Sequence, residues 1–171
     1  GFGLPTKKFG VGLGNLPTFT GIRLNPIDKN VDKIVGVNIT SWQPNSFDVQ
    51  TGSFYGLGIG LPTAMGTKNR FGVSVALFGV GATETLAGVN IGGLATGGNN
   101  VYGINLGGLA AGAGEDLYGI NLGGLAAGAG ENVGGLNIGG LAVGAGGNVT
   151  GLNIGGLAVG AGQSVSGISA S

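Results

Sequence analysis

Side chains able to do acid–base, metal or nucleophilic chemistry are scarce in this chain. It has no histidine and no cysteine, which removes the usual general base and the thiolate nucleophile. The densest group of carboxylates is Glu115, Asp116 and Glu131, and a 16-residue period would stack Glu131 on Glu115, where oxygen ligands suit calcium. Later copies carry Gly147 and Gln163 at that place. We therefore expect solvated charges here, and we predict no catalytic residue, no metal and no cofactor.

The charged residues divide unevenly along the chain. Residues 1–70 hold all seven lysines and arginines and three aspartates, a net charge of +4, whereas residues 71–171 hold only four acids, a net charge of −4. The cations are too few and too mixed with acids to form a nucleic-acid track, so we predict no nucleic-acid partner. The asymmetry is either incidental surface charge or a source of head-to-tail attraction between molecules.

The elements that would position these residues are copies of one repeat. From Gly103 onward, 16-residue copies such as GLNIGGLAVGAGGNVT and GLNIGGLAVGAGQSVS follow one another. Their opening pattern, a glycine followed by apolar, any, apolar, recurs back to Gly10. We interpret residues 1–171 as a single repeat domain, with divergent copies over 1–87, an aromatic insertion at 41–55 and regular repeats over 88–171.

Glycine makes up 43 of the 171 residues without the collagen period of three, and each interior glycine weakens a helix. The repeats therefore predict an all-β fold, a parallel β-solenoid of about ten rungs of ~16 residues each. The alternative is an antiparallel outer-membrane β-barrel with one strand per copy.

Corners at the glycine pairs would turn the bulky apolar side chains into one dry interior. In the copy that begins at Gly151, we expect the inward residues to be Leu152, Ile154, Leu157, Val159 and Val165. Asn153 would then face outward with Ala158 and Gly160.

Asparagine recurs at one place in successive copies. Stacking would align Asn90, Asn105, Asn121, Asn137 and Asn153 in a column. Amides in such a column can pass hydrogen bonds from rung to rung, which would fix the register of the rungs. The alternative is a row of amides that binds a ligand.

The aromatic insertion concentrates large side chains in an otherwise small-residue chain. It contains Trp42, Phe47, Phe54 and Tyr55. These residues either cap and shield the first rungs or form a contact surface for a partner or a membrane interface.

The segment GIRLNPIDKNVDKIVGVNITSW, followed by GLGIGLP and then by tandem GφNφGGLAxGAG copies (φ is apolar), resembles a group of uncharacterised bacterial glycine-rich repeat proteins. The group is similar to the surface repeat proteins of spirochaetes. The resemblance covers the chain from about Gly21 to Gly167. It implies an exported protein at the cell surface, in the outer membrane or outside the cell, and it supplies no catalytic residue.

The last two full copies carry no charged residue, which favours assembly of the protein over a monomeric state in solution. We therefore expect a noncatalytic structural protein of the bacterial surface or envelope that self-associates into a fibre, a layer or a complex. Its partners would be further copies of itself, with other envelope proteins or the membrane as further candidates. The alternatives are an outer-membrane barrel or pore component and a module that binds carbohydrate or protein.

Overall fold

A computed structural model of the protein describes residues 1–28, 30–41 and 51–171. These residues form one 17-stranded sheet wound into a β-solenoid of about nine turns, and no helix occurs among them. The strands in chain order are β1 Phe2–Pro5, β2 Phe9–Leu13, β3 Thr18–Asn25, β4 Lys33–Thr40, β5 Ser53–Gly60, β6 Thr63–Ala64, β7 Asn69–Ala76, β8 Gly79–Gly81, β9 Thr85–Gly92, β10 Ala95–Gly107, β11 Ala110–Gly123, β12 Ala126–Ala129, β13 Asn132–Gly139, β14 Ala142–Ala145, β15 Asn148–Gly155, β16 Ala158–Ala161 and β17 Ser164–Ala170.

Successive copies stack in parallel with equivalent residues paired. In the pairing of β13 with β15, Gly135 lies beside Gly151, and Asn137 lies beside Asn153. Only the N-terminal hairpin of β1 and β2 is antiparallel among the described strand pairs. The predicted parallel solenoid is therefore confirmed, with about nine turns rather than the ten expected, and the antiparallel alternative is wrong.

The glycine that opens each copy is required by the backbone. Gly119, for example, has a φ of 124°, in a region that residues with a Cβ rarely adopt. A Cβ on Gly119 would also overlap the carbonyl oxygen of Gly103 in the turn below. The opening glycines from Gly10 to Gly167 share this positive φ, which explains why the repeat never replaces them.

In the regular repeats, the apolar interior consists of valine, leucine and alanine side chains. Val101, Leu117, Val133 and Val149, each two residues before an opening glycine, are completely buried. On the opposite wall of the coil, the buried residues are Ala111, Ala127 and Val143. Apart from Ala111, both sets belong to one apolar cluster that runs along the regular repeats.

The expectation that every bulky apolar residue points inward is wrong. Leu152 and Ile154 are 41% and 39% exposed, and Leu157 is 76% exposed, whereas Asn153 is completely buried. Val159 does pack against the core, and Val165, on the exposed last strand β17, occupies the position that is buried at Val149. The strand alternation predicted for Leu152, Asn153 and Ile154 is present, but it is Asn153 that faces the interior and the two apolar residues that face outward.

Candidate functional site

The asparagine column lies inside the solenoid. Each side-chain amide donates to the side-chain oxygen of the next asparagine, from Asn90 through to Asn153, over 2.7–2.9 Å. All five members are completely buried. These hydrogen bonds offset the cost of burying the amides, because each inner member both donates and accepts. Solvent does not reach the column, so it does not form the ligand-binding row that was the alternative interpretation.

The column has a direction and two open ends. The Oδ1 atom of Asn90 and the Nδ2 atom of Asn153 have no hydrogen-bond partner in the structure. Ser74 precedes Asn90 in the stack, and Ser169 follows Asn153. The column therefore stops where serine replaces asparagine.

A second polar row runs along a corner of the coil, and the sequence reasoning missed it. Asn132 Nδ2 donates to Asp116 Oδ1 at 2.9 Å, and Asn148 Nδ2 donates to Asn132 Oδ1 at 3.0 Å. Ser164 Oγ extends the row by donating to Asn148 at 2.7 Å. The signal was available, because an Asn, Asp or Ser occupies this place in each regular copy.

The acidic residues lie at the same corner. The backbone N–H of Glu131 donates to the carbonyl of Glu115 at 2.8 Å, so the predicted stacking of these two residues is present. Hydrogen bonds from Asn99 and then from Asn100 hold the pKa of Glu115 below its usual value. Within the described ranges, no cluster of three or more His, Cys, Asp or Glu side chains is placed to hold a metal ion.

The N-terminal turns bury charges that the sequence reasoning did not place inside. Arg23 Nη2 forms a salt bridge with Asp28 Oδ1, and both side chains are almost completely buried. Arg23 also donates from Nε to Asn38 Oδ1 at 2.8 Å and from Nη1 to the carbonyl of Leu16 at 2.7 Å. Burial, and then the positive charge of Arg70, lower the pKa of Arg23 to about 10.

Asp28 is the acceptor at the centre of this cluster. Besides Arg23, it accepts hydrogen bonds from Asn25 Nδ2 at 2.7 Å, from Asn38 Nδ2 at 2.9 Å and from Thr40 Oγ1 at 2.7 Å. Four donors on two adjacent strands, β3 and β4, thus converge on one carboxylate, which lies in the loop after β3. Most polar atoms of this buried cluster bond to one another, although Asn25 Oδ1 has no partner, so we interpret the cluster as a structural link between β3, β4 and the loop after β3.

Arg70 is a second buried arginine, and no described carboxylate pairs with it. Its guanidinium lies 4.5 Å from the ring centroid of Phe54, a cation–π contact. Nη2 donates to the carbonyl of Met65 at 3.3 Å, while Nε has no partner. A Cβ on Gly58 would overlap Nη1, so this glycine makes room for the arginine. Burial lowers the pKa of Arg70 to about 10.

Of the four aromatic residues predicted to contact a partner, the structure describes Phe54 and Tyr55, and their environments differ. Trp42 and Phe47 lie outside the described residues. Phe54 is completely buried under Arg70, so the prediction that it contacts a partner is wrong. Tyr55 is 41% exposed and stacks on Phe71 with 5.2 Å between ring centroids.

The outer wall of the solenoid is apolar. We define the outer face as the residues one and three places after each opening glycine, from Val11 and Leu13 to Leu152 and Ile154; every one is Val, Leu or Ile. Many of them are exposed by about two-fifths, including Ile104 at 38% and Ile120 at 40%. This uncharged face follows the whole stack of strands from β2 to β15.

A groove runs along one edge of the outer face. Its wall is Ile91, Leu106, Leu122 and Ile138, and its floor consists of the glycine pairs between 92 and 140. The volume of this glycine groove is about 550 Å³, and a second stretch of about 350 Å³ extends it toward the N-terminus, sharing Ile91. The residue that follows each glycine pair of the regular repeats is a leucine and lies beside the floor. We call these residues the leucine row: Leu94, Leu109, Leu125, Leu141 and Leu157. Their side chains are 46–76% exposed.

Comparison with family models, with curated proteins and with solved structures finds no match to this chain. The resemblance to bacterial surface repeat proteins therefore stays a prediction. The described part of the chain contains no helix long and apolar enough to span a bilayer.

Proposed function

We propose that the protein is a noncatalytic structural element of the bacterial surface or envelope that self-associates into a fibre, a layer or a complex. The observation that carries the proposal is the outer face, a continuous apolar surface with no charge. Monomeric proteins rarely expose contiguous apolar patches of more than a few hundred Å². A surface of this kind is expected to be covered by something in the working state of the molecule.

The interior supports a structural role. The polar groups of the Arg23 cluster and of the asparagine column mostly bond to one another, which leaves few of them free to act on a substrate. The repeat builds a rigid rod in which each turn contacts its neighbours, the usual design of a scaffold. The cellular location rests on the resemblance of the repeats.

Self-association is tested on the full chain in detergent-free buffer. Sedimentation velocity over a range of concentrations, with negative-stain electron microscopy of the same samples, is expected to show regular assemblies that grow with concentration. A single monomeric species at every concentration would contradict the proposal. The location is tested separately by adding protease to intact cells that express the protein, where cleavage from outside is expected.

A further inference from the structure

We propose that the glycine groove binds the extended chain of one long-chain fatty acid, with its carboxylate at the N-terminal end of the groove. This binding site goes beyond the self-association proposed above and does not require it. Four features of the groove point to this ligand: its lining, the hydrogen bonds of its floor, its dimensions and the charge along it.

The lining of the groove is entirely apolar. Among the described residues, those that line it are all aliphatic or glycine, including Ile59, Leu61, Val75 and Leu77 in the N-terminal stretch. A polar ligand group covered by such a lining would lose its hydrogen bonds to water without replacing them. The lining therefore favours a hydrocarbon ligand.

The backbone of the floor is already hydrogen-bonded along the solenoid axis. The N–H of Gly108 donates to the carbonyl of Gly92 at 3.1 Å, and the N–H of Gly124 donates to that of Gly107 at 3.1 Å. The carbonyl oxygen of Gly108 lies against Gly124, where a Cβ would overlap it. A peptide strand laid in the groove would therefore leave the backbone groups that face this floor unpaired, whereas a hydrocarbon chain has none to satisfy.

The width of the groove admits one hydrocarbon chain. In each regular copy, three residues separate the wall position from the leucine row, as from Leu106 to Leu109, which is at most ~10 Å between Cα atoms. An α-helix with its side chains is ~10–12 Å across and is too wide. A hydrocarbon chain needs only the ~4 Å contact distance between carbon atoms on either side.

The length of the groove matches a long chain. Six consecutive turns contribute a residue to the wall, from Ile59 to Ile138, and at the strand spacing of ~4.8 Å they span about 24 Å. Carbon atoms joined by single bonds advance ~1.25 Å per bond in an extended chain, so 16–18 carbons take about 19–21 Å. One such chain therefore fits along the wall without folding back.

The charge along the chain sets the orientation of the ligand. The N-terminal end of the groove lies at Ile59 and Leu61, within the 70 residues that carry a net charge of +4. The other end lies at Ile138 and Gly140, within the residues that carry −4. A carboxylate is attracted to the first end and repelled from the second. The groove is open to solvent, so the head group stays hydrated.

Binding is tested by titrating the full chain with cis-parinaric acid, a long-chain fatty acid that fluoresces in apolar surroundings. The titration is done in detergent-free buffer, below the concentration at which the probe forms micelles, and at the lowest protein concentration used for sedimentation. We expect saturable binding of one probe per chain. Palmitate should displace the probe about 16-fold more tightly than dodecanoate, because each of four added carbons, half covered in an open groove, contributes about twofold. No saturable binding would overturn the inference.

Two matched variants test the location of the site. Ile91 lies where the two stretches of the groove meet, whereas Ile104 lies on the outer face but does not line the groove. Their side chains are 37% and 38% exposed. Ile91→Glu is expected to weaken binding at least about tenfold, because it places a charge against the hydrocarbon chain. Ile104→Glu adds the same charge and is expected to leave binding unchanged. Far-UV circular dichroism checks that both variants keep the fold of the wild type.

The orientation is tested with nitroxide-labelled stearic acids and methyl resonances of the protein. A nitroxide near the carboxylate is expected to broaden the methyl signals of Ile59, and a nitroxide near the far end of the chain those of Ile138. The reverse pattern would overturn the orientation.

The outcomes separate this site from the proposed function. Sedimentation of the wild type without fatty acid reports self-association, whereas the probe titration reports the groove, so either can fail while the other stands. Probe binding that survives Ile91→Glu would place the fatty acid elsewhere and overturn the inference. Equal losses in both variants, or binding to phosphatidylcholine vesicles without binding of the soluble probe, would mean that the whole outer face docks on a bilayer, which also overturns it.

Discussion

The two halves of the solenoid fill the same interior column with different chemistry. Two places after the opening glycine, the N-terminal turns carry Gly12, Arg23, Asn38, Gly58 and Ser74, whereas the regular turns carry asparagine from Asn90 to Asn153. The apolar core divides in a similar way, into an aromatic and aliphatic cluster around Phe19 and Phe54 and a valine and alanine cluster along the repeats. The backbone path is shared, because the opening glycines pair across both halves.

The comparison shows two ways to satisfy polar atoms inside a narrow coil. In the regular half, each inner side-chain amide bonds to identical asparagines in the neighbouring turns, so adding a repeat lengthens the hydrogen-bonded column. In the N-terminal half, the donors and acceptors differ, and each depends on particular partners. We therefore expect single substitutions to be costlier in the N-terminal half.

The largest expected effect is at Asp28. Asp28→Asn keeps the shape of the side chain but removes the charge that compensates the buried Arg23 guanidinium. Breaking a buried pair in this way costs about 3–5 kcal/mol, because the remaining charge stays in a low-dielectric interior. We expect a loss of this size in the free energy of unfolding, measured by urea denaturation.

A surface ion pair provides the matched control. Lys68 Nζ lies 3.0 Å from a Glu84 carboxylate oxygen, and about half of each side chain is exposed. Glu84→Gln is expected to cost less than about 1 kcal/mol, since exposed pairs are screened. An Asp28→Asn variant as stable as Glu84→Gln would show that the buried cluster does not depend on its charge.

The next effect concerns what both halves share. Gly56→Ala and Gly119→Ala each force a Cβ into the left-handed region, at φ values of 135° and 124°, and into a carbonyl of the turn below. We expect a cost of about 3 kcal/mol for each, because strain and overlap add. Urea denaturation of the two variants should therefore give similar losses, despite the different interiors around them.

Gly160 is the control for these glycines. It has no positive φ, and no heavy atom lies within 4 Å of where its Cβ would be. Gly160→Ala should leave the free energy of unfolding unchanged or slightly raised. If Gly119→Ala were equally harmless, the positive φ would not be what preserves glycine at the start of each copy.

The period and the direction of stacking could be predicted from the sequence because they depend on the repeat alone. Identical residues sixteen places apart can align only if the chain coils once per copy, and this placed Asn137 beside Asn153 correctly. Which residues of each strand face the interior could not be predicted by assigning the largest apolar residues to the core. That rule put Leu152 and Ile154 inside and Asn153 outside, the reverse of the structure.

The divergent turns show that size alone does not decide which residue faces inward. The interior column carries Arg23 as well as Gly58, whereas the position before Gly58 is the outward Leu57. Gly58 is small because the guanidinium of Arg70 occupies the space beside it.

The Arg23 cluster was beyond reach for a different reason. Arg23 and Asn38 occupy the same place in successive copies, as do Asn25 and Thr40, but Asp28 lies in the loop after β3, and only the folded chain brings it onto these four side chains.

The smallest of the three effects is at the asparagine column. Asn121→Ala removes two column hydrogen bonds and leaves Asn105 Nδ2 and Asn137 Oδ1 buried without partners. Asn153→Ala, at the open end, removes one such bond and leaves only Asn137 Nδ2 unpaired. Because the cost follows the number of orphaned groups, we expect losses of about 2 and about 1 kcal/mol, respectively, from urea denaturation.

The ratio of these two losses is more informative than their sizes. Asparagine-to-alanine changes at the two sites remove the same side chain, so differences in volume and propensity cancel to first order. A twofold ratio supports additive bonds between neighbouring turns. Equal losses would mean that the end of the column matters as much as its middle, as expected if the terminal turn is already covered by another molecule in solution.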